Sequence, residues 1–295
     1  MQPTLLKPLR GTADHATANG KVAYREAQWP LLRNVLVMFF ERQRPHAIRA
    51  TIEVDVTETL GRIRALQRQT RLALPFHVFA VYCFARGISA HPQFNTYRRR
   101  DKLITFEDVD ILSPLDKRLP DGVRIPVGHI VRGAQSKSLA QINWELRRAI
   151  RSDDLADDPA VRLRRRMAGA PSFARRLIAR FIVADPFRLR VSHGTVLVST
   201  VHSNGFARPT NIAGGTLHTF TAFIGSIAER LIVDAEGKPA RRKILFLSGA
   251  CDHDIVDGAA MTRFGRHMVE LFETGAGLDA DFVAETRCLM REERA

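Results

Sequence analysis

Apolar residues in this chain recur at two different periods, and segments of the two kinds alternate along most of its length. Ala47 to Val56 (AIRATIEVDV) alternates apolar with polar, the period-two pattern of a half-buried strand. Thr57 then reads as the N-cap of a helix running to about Thr70, and a second helix is predicted over Pro75–Ala90. Trp29–Glu41 is apolar at near-helical spacing and predicts an earlier helix. Phe94–Tyr97 and Lys102–Phe106 flank a charged turn, as in a short hairpin. Strands follow at Asp108–Leu115 and Val123–Val131, with Asp121-Gly122 as the turn between them. Ser138 caps a helix over Leu139–Ile150, with Trp144 on its apolar face. Thr195–Val201, Phe220–Arg230 and Lys243–Gly249 are further strands, and a last helix spans Gly258–Thr274. Interleaving of this kind predicts an α/β domain, because each sheet face and helix stripe must bury itself against another element.

The domain is expected over residues 26–280, with an N-terminal arm at 1–25 and a C-terminal tail at 281–295. At 295 residues and 45% hydrophobic composition the chain has material for a sizeable core, which excludes a disordered or disulfide-stapled class. Cys83, Cys251 and Cys288 are widely spaced and form no CxxC pair, so zinc-ribbon and thioredoxin readings have no support. There is no apolar signal run at the N-terminus, and no stretch reaches the ~20 residues that span a bilayer. A soluble, cytoplasmic protein is expected.

The charge is lopsided. Lys and Arg number 45 against 31 Asp and Glu, a net +14. The surplus concentrates in a segment at about 151–190 that reads as a basic, helical insertion. Between Val161 and Arg190 stand nine Arg and one acid, with Phe173, Leu177, Ile178, Phe181 and Ile182 at helical spacing. Such a helix can lie on a membrane surface or grip an acidic partner. The preferred expectation is an ordinary surface helix whose apolar side packs on the domain. Nucleic acid is not the expected partner.

The stretch that carries chemistry is Cys251-Asp252-His253-Asp254-Ile255-Val256-Asp257-Gly258, which contains HxxxDG. It follows an apolar strand and opens a helix, so His253 stands at a strand end where a ring can project into a cleft. Imidazole titrates near neutral pH and suits a general base. Asp257 falls at the helix start, where unpaired amides and the helix dipole favour a carboxylate. Gly258 permits a backbone conformation or close approach that a Cβ would hinder.

The whole stretch, LFLSGACDHDIVDGAAMTRFGRHMVELF, resembles the end of the catalytic domain of dihydrolipoyl acyltransferases of 2-oxo acid dehydrogenase complexes, which share HxxxDG with chloramphenicol acetyltransferase. Earlier segments are similar to that domain in the same order: ATIEVDVTETL, FHVFAVYCFARGISAHPQFN, VDILSPLDKRLPDGVRIPVGHIVRGAQSKSLAQI and HGTVLVSTVHSNGFARPTNI. The resemblance spans roughly residues 30–275. It implies an α/β two-layer sandwich, a mixed β-sheet covered by helices, assembled as a homotrimer that could join a higher assembly, with the active site in a channel between subunits. It implies coenzyme A, as acyl-CoA, for a substrate, and a thiol or hydroxyl acceptor, dihydrolipoamide among them, free or carrier-bound. By the same resemblance His253 is the general base, Ser199 the hydroxyl that steadies the tetrahedral intermediate, and Asp257 the carboxylate that holds the turn. His129, Thr200 and His202 are candidates for the channel lining. No metal is implied.

Some features depart from the family pattern. Asp254 replaces the usual Arg after the histidine, and would raise the pKa of His253 if close enough. Thr200-Val201-His202 replaces the usual Asn-Leu-Gly after the serine. The segment at 151–190 is about 25 residues longer than usual by this comparison with its neighbours. No lipoyl domain or swinging linker is read in the chain, so no lipoyl group is expected on it. Two alternatives therefore stay open: a non-catalytic scaffold on the same fold, and a basic adaptor for a membrane surface or acidic partner. Arg98-Arg99-Arg100 and Arg164-Arg165-Arg166 are candidate phosphate contacts, and Cys251 is read as a buried, inert thiol.

Overall fold

The computed structural model describes residues 8–17, 20–27, 33–42, 46–118, 124–151, 167–200, 217–233 and 237–293. Among the described residues the strands are β1 (Pro8–Thr17), β2 (Gly20–Ala27), β3 (Ala47–Asp55), β4 (Thr96–Arg99), β5 (Lys102–Thr105), β6 (Ile111–Arg118), β7 (Arg124–Val131), β8 (Val196–Thr200), β9 (Phe220–Val233) and β10 (Pro239–Asp252). The helices are α1 (Arg33–Phe40), α2 (Thr57–Thr70), α3 (Phe76–Ala90), α4 (Leu139–Arg151), α5 (Ser172–Val183), α6 (Pro186–His193), α7 (Gly258–Thr274) and α8 (Ala280–Glu292). Six strands form one mixed sheet in the order β3-β10-β9-β8-β6-β7. The β6–β8 and β8–β9 pairs are parallel and the others antiparallel.

The core lies on one face of this sheet. Val54, Leu245, Leu247, Cys251, Phe220, Ala222, Ile224, Val196, Val198, Ile111 and Leu115 all belong to the main buried cluster. The strand registers place them on a common face, since directly opposed residues share a side and neighbours in sequence do not. Helices α2, α3, α4, α7 and α8 supply the other half of that cluster. α3 is apolar nearly all round, with Val78, Phe79, Val81, Phe84 and Ile88 buried, and so it is the central helix.

Local chemistry sets the helix ends. Ser138 and Gln141 exchange hydrogen bonds at the start of α4, backbone N–H to side chain in both directions at 3.0 and 3.1 Å, as a reciprocal capping box. Thr57 is the first residue of α2 rather than its cap. Asp55 caps the turn instead, accepting from Thr57 N at 3.0 Å and Thr57 Oγ1 at 2.5 Å.

The ends of the chain differ from expectation. Within the segment read as an arm, β1 and β2 pair as an antiparallel hairpin separate from the main sheet. The segment read as a tail is α8, which buries Phe282, Val283 and Thr286 and is capped by Asp279. Its apolar stripe is short, with polar Thr286 among its three buried residues, and this hid it. Of the helix expected from Trp29 the structure describes Arg33–Phe40, and Trp29 itself lies outside the described residues.

The Arg-rich insertion also differs. Residues 152–166, with Arg164 to Arg166, lie outside the described residues. In α5 the buried residue is Ala179, packed with Met38 and Ala168, whereas Phe173, Leu177 and Phe181 are 73%, 66% and 62% exposed. The expected packing of the large apolar side chains on the domain holds only for Ile182, which packs against the cluster of Tyr97, Phe106 and Leu189; the others point outward. α6 is bound firmly, through Asp110. That carboxylate is 1% exposed and accepts from Arg190 Nε at 2.8 Å, Arg132 Nη1 at 2.9 Å and Gly133 N at 2.9 Å. Among the described residues, no helix is long and apolar enough to cross a membrane.

Candidate active site

β10 ends where three chain segments converge. Asp252 N donates to Thr219 O at 2.9 Å, and His253 N donates to His46 O at 2.8 Å. The turn that follows is ordered by Asp252. Its carbonyl accepts from Ile255 N and Val256 N, and its buried carboxylate accepts from Asp254 N at 3.2 Å. His253 stands exposed on this turn. Its Nδ1 lies 3.0 Å from Val256 O. A carbonyl only accepts, so in the neutral ring Nδ1 carries the proton and Nε2 carries the lone pair. Among the described residues Nε2 has no hydrogen-bond partner. The ring is therefore held in one tautomer with its basic nitrogen open.

The neighbouring motif residues take roles different from those expected. Asp257 is the N-cap of α7, but its side chain makes no capping hydrogen bond; its carbonyl accepts from Met261 N at 3.0 Å. The turn is held by Asp252, five positions before the expected Asp257 and at the end of β10. Gly258 has no left-handed backbone, and a Cβ added there would meet nothing within 4 Å. A Cβ at this position therefore meets no clash, contrary to the close approach expected there. Asp254 pairs with His46, Nδ1 to Oδ1 at 2.9 Å.

Ser199 lies elsewhere in the chain. It is on β8 and is half-buried. Val198 faces the helices, so Ser199 faces the other side of the sheet. Its register partner on β9 is Phe223, and that of Phe223 on β10 is Ser248. His253 is five residues beyond Ser248 and two strands across from Ser199. At about 3.3 Å per residue and about 4.8 Å per strand, the two are roughly 15–20 Å apart within one chain. A single copy does not bring the pair together.

Thr200 faces the helices and bonds to His77, with Oγ1 2.5 Å from Nδ1. The other ring nitrogen of His77, Nε2, is 2.5 Å from Ser113 Oγ. Burial lowers the His77 pKa to about 4. Sequence reasoning passed over His77, because its partners are 36 and 123 residues away and no spacing signals them. His129 is paired with Glu145 at 3.0 Å, in a groove of about 560 Å³ between β7 and α4 lined also by Leu115, Trp144 and Arg148. This is the helix-covered face, opposite Ser199. Burial raises the Glu145 pKa, but hydrogen bonds from His129 and Lys137 outweigh it and hold the carboxyl below its ordinary value. His202 lies outside the described residues. Arg99 is engaged by Asp185 at 3.4 Å and Arg98 Nε by Arg100 O at 3.0 Å. Cys251 is buried, with its pKa pushed up to about 12 by burial and by the charge of Asp252. Among the described residues no group of three or more His, Cys, Asp or Glu is gathered as metal ligands.

The chain is similar to known acyltransferase catalytic domains. Residues 218–278, from the start of β9 to the end of α7, match the family of 2-oxoacid dehydrogenases acyltransferase (catalytic domain). The chain is 28% identical over 204 residues to the dihydrolipoyllysine-residue acetyltransferase component of the pyruvate dehydrogenase complex of Mycoplasma pneumoniae. The match covers 68% of this chain and 42% of that protein, so the chain spans about two-fifths of the relative's length. The fold resembles a probable dihydrolipoamide acetyltransferase from Listeria monocytogenes, with TM-score 0.57, 19% identity and coverage of 82% of this chain and 89% of the other. It also resembles the Azotobacter vinelandii dihydrolipoamide acetyltransferase, with TM-score 0.63, 17% identity and coverage of 86% and 93%. The chain thus has the α/β fold of these acyltransferase catalytic domains and resembles them in sequence.

Proposed function

We propose that this chain is an acyltransferase of the 2-oxoacid dehydrogenase type, moving an acyl group between coenzyme A and a thiol or hydroxyl acceptor, with dihydrolipoamide the first acceptor to try. The observation that carries the reading is the His253 ring, exposed and pinned through Nδ1 to Val256 O so that Nε2 is free to take a proton. A thiol-bearing substrate fits such an open nitrogen.

His253 Nε2 removes the acceptor's S–H or O–H proton. The resulting anion attacks the thioester carbonyl, and the bond to the leaving sulfur breaks. The imidazolium then returns its proton to that sulfur. Ser199 Oγ donates a hydrogen bond to the oxyanion that develops on the carbonyl, and a preplaced donor of this kind contributes about 2–4 kcal/mol. No covalent acyl-enzyme is needed, which leaves Cys251 without a catalytic task. Because His253 and Ser199 stand apart within one chain, the site is completed between copies, as in the trimer implied by the resemblance. Asp252 keeps the turn in place, through its carbonyl and its carboxylate.

The test is thioester transfer by the purified chain from a panel of acyl-CoA donors to dihydrolipoamide, read as free coenzyme A thiol. His253→Ala is expected to lower transfer by about 10²–10⁴-fold with the oligomer intact. Full activity in that variant overturns the reading and leaves the scaffold alternative standing.

A further inference from the structure

The sheet is unevenly stitched around Ser199. Register pairs between β6 and β8 stop at Leu112 with Leu197, while β9 continues beside Ser199 and Thr200 through Phe223 and Ile224. The end of β8 that carries Ser199 is therefore held by backbone pairing on one side only. Across the open side stands His77, from the first turn of α3. Its ring bridges Ser113 on β6 and Thr200 on β8, at 2.5 Å on each nitrogen.

We infer that His77 is the positioning residue that fixes the end of β8, and through it the Ser199 hydroxyl on the opposite face, for the acyl transfer proposed above. The inference rests on that reading of Ser199. His77 touches no reacting atom in this account; it acts through Thr200 and the strand. A neutral imidazole is suited to the task, since one nitrogen donates and the other accepts, so both hydroxyls are satisfied by one rigid ring. Burial keeps the ring neutral at pH 7, with the pKa held at about 4. A leucine would fill the same space and leave two hydroxyls without partners. The functional consequence is geometric: an oxyanion donor works only within a fraction of an ångström of its target, and a shift of about 1 Å can cost ~10²-fold.

The experiment uses the full chain and compares wild type with His77→Leu, His77→Gln, Thr200→Val and Ser199→Ala, alone and in pairs, by steady-state transfer and thermal unfolding. His77→Leu and Thr200→Val are each expected to lower kcat about 10- to 100-fold with KM within about twofold. Their combination should be no worse than His77→Leu alone. Glutamine also carries one donor and one acceptor, so His77→Gln should recover most of the lost kcat. In a Ser199→Ala background His77→Leu should have no further effect on kcat. A folded His77→Leu protein with wild-type kcat overturns the inference, as does a loss that persists unchanged in the Ser199→Ala background. If His77→Leu does not fold, Thr200→Val removes the same bond and decides by the same criteria. A wild-type chain without transfer overturns the reading of Ser199 and this inference with it. An active wild type with insensitive variants overturns this inference alone.

Discussion

Asp254 Oδ1 lies 2.9 Å from His46 Nδ1, so the carboxylate adjacent in sequence to the candidate base is engaged by a residue from the start of β3. Both side chains are well exposed, at 69% and 44%. The charge that sequence reasoning set against the His253 ring is thus shared with another imidazole and screened by water. Exposed pairs of this kind contribute about 0–1 kcal/mol. Asp254→Asn is expected to change kcat/KM by less than about threefold and to leave the acid limb of the pH–rate profile in place. A shift of that limb by a full pH unit would show that Asp254 does act on the base.

The separation of His253 from Ser199 within one chain predicts complementation. His253→Ala and Ser199→Ala chains should each be impaired, by about 10²-fold or more. Unfolded together and reassembled, they should form mixed oligomers in which some sites pair an intact His253 with an intact Ser199 from different copies. Random mixing in a cyclic trimer makes about a quarter of the sites complete. Recovery of activity near that fraction supports a site between copies. No recovery in demonstrably mixed oligomers would mean that both groups act within one chain or that one of them does not act.

Gly194 joins α6 to β8 with φ +70°, and a Cβ there would lie 2.5 Å from Asp110 O. That oxygen already accepts from Thr195 N at 2.7 Å and Val196 N at 3.3 Å. Backbone strain and a backbone clash coincide, and neither can be relieved by a side-chain rotation. Gly194→Ala should cost at least ~2 kcal/mol in chemical denaturation. A cost under half a kilocalorie, on the order of experimental scatter, would contradict the geometry.

Acid should weaken the fold in two stages. Unfolded, His77 takes a proton near 6.5; folded, it resists until about 4. The unfolded chain therefore binds more protons in that window, and stability falls as pH drops from 6.5 to about 4, by up to ~3 kcal/mol. Asp110 acts lower. Burial opposes its charge, but hydrogen bonds from Arg190, Gly133 N–H and Arg132 win and hold its pKa below the ordinary aspartate value. Its stabilisation is complete above that value and is lost as pH falls below it. Urea midpoints measured from pH 7 to 3 should show both limbs, and His77→Leu should shrink the upper one to what His91 contributes, whose pKa burial also lowers. A flat profile from pH 7 to 4.5 would contradict the assignment to His77.

Cys251 stands two residues before His253 yet is buried, with its thiol pKa pushed up to about 12. Cys83 is buried as well, and Cys288 is exposed. Iodoacetamide at pH 7.5 should modify Cys288 first and leave transfer intact, as should Cys251→Ser within a few-fold. Rapid inactivation that maps to Cys251 would reinstate a thiol mechanism.

Periodicity in the chain was enough to locate most strands and helices between Ala47 and Thr274, because burial on one side of a helix or strand is written locally as apolar spacing. The HxxxDG stretch was legible for the same reason: strand end, turn and helix start are contiguous, and so the exposure of His253 followed from its position. Element ends were less so. The N-cap position of α2 is Val56, with Asp55 bonding Thr57, and α8 was missed although Asp279 was available as its cap, since polar Thr286 interrupts the apolar stripe.

What neighbours in space contribute had to come from the tertiary structure. That His46 takes Asp254 and that His77 joins Ser113 to Thr200 are contacts between residues 36 to 208 positions apart. Side-chain hydrogen bonds of this range leave no periodic trace in sequence. The distance between His253 and Ser199 is of the same kind: it is fixed by strand order and register, which residue types along a single strand do not encode.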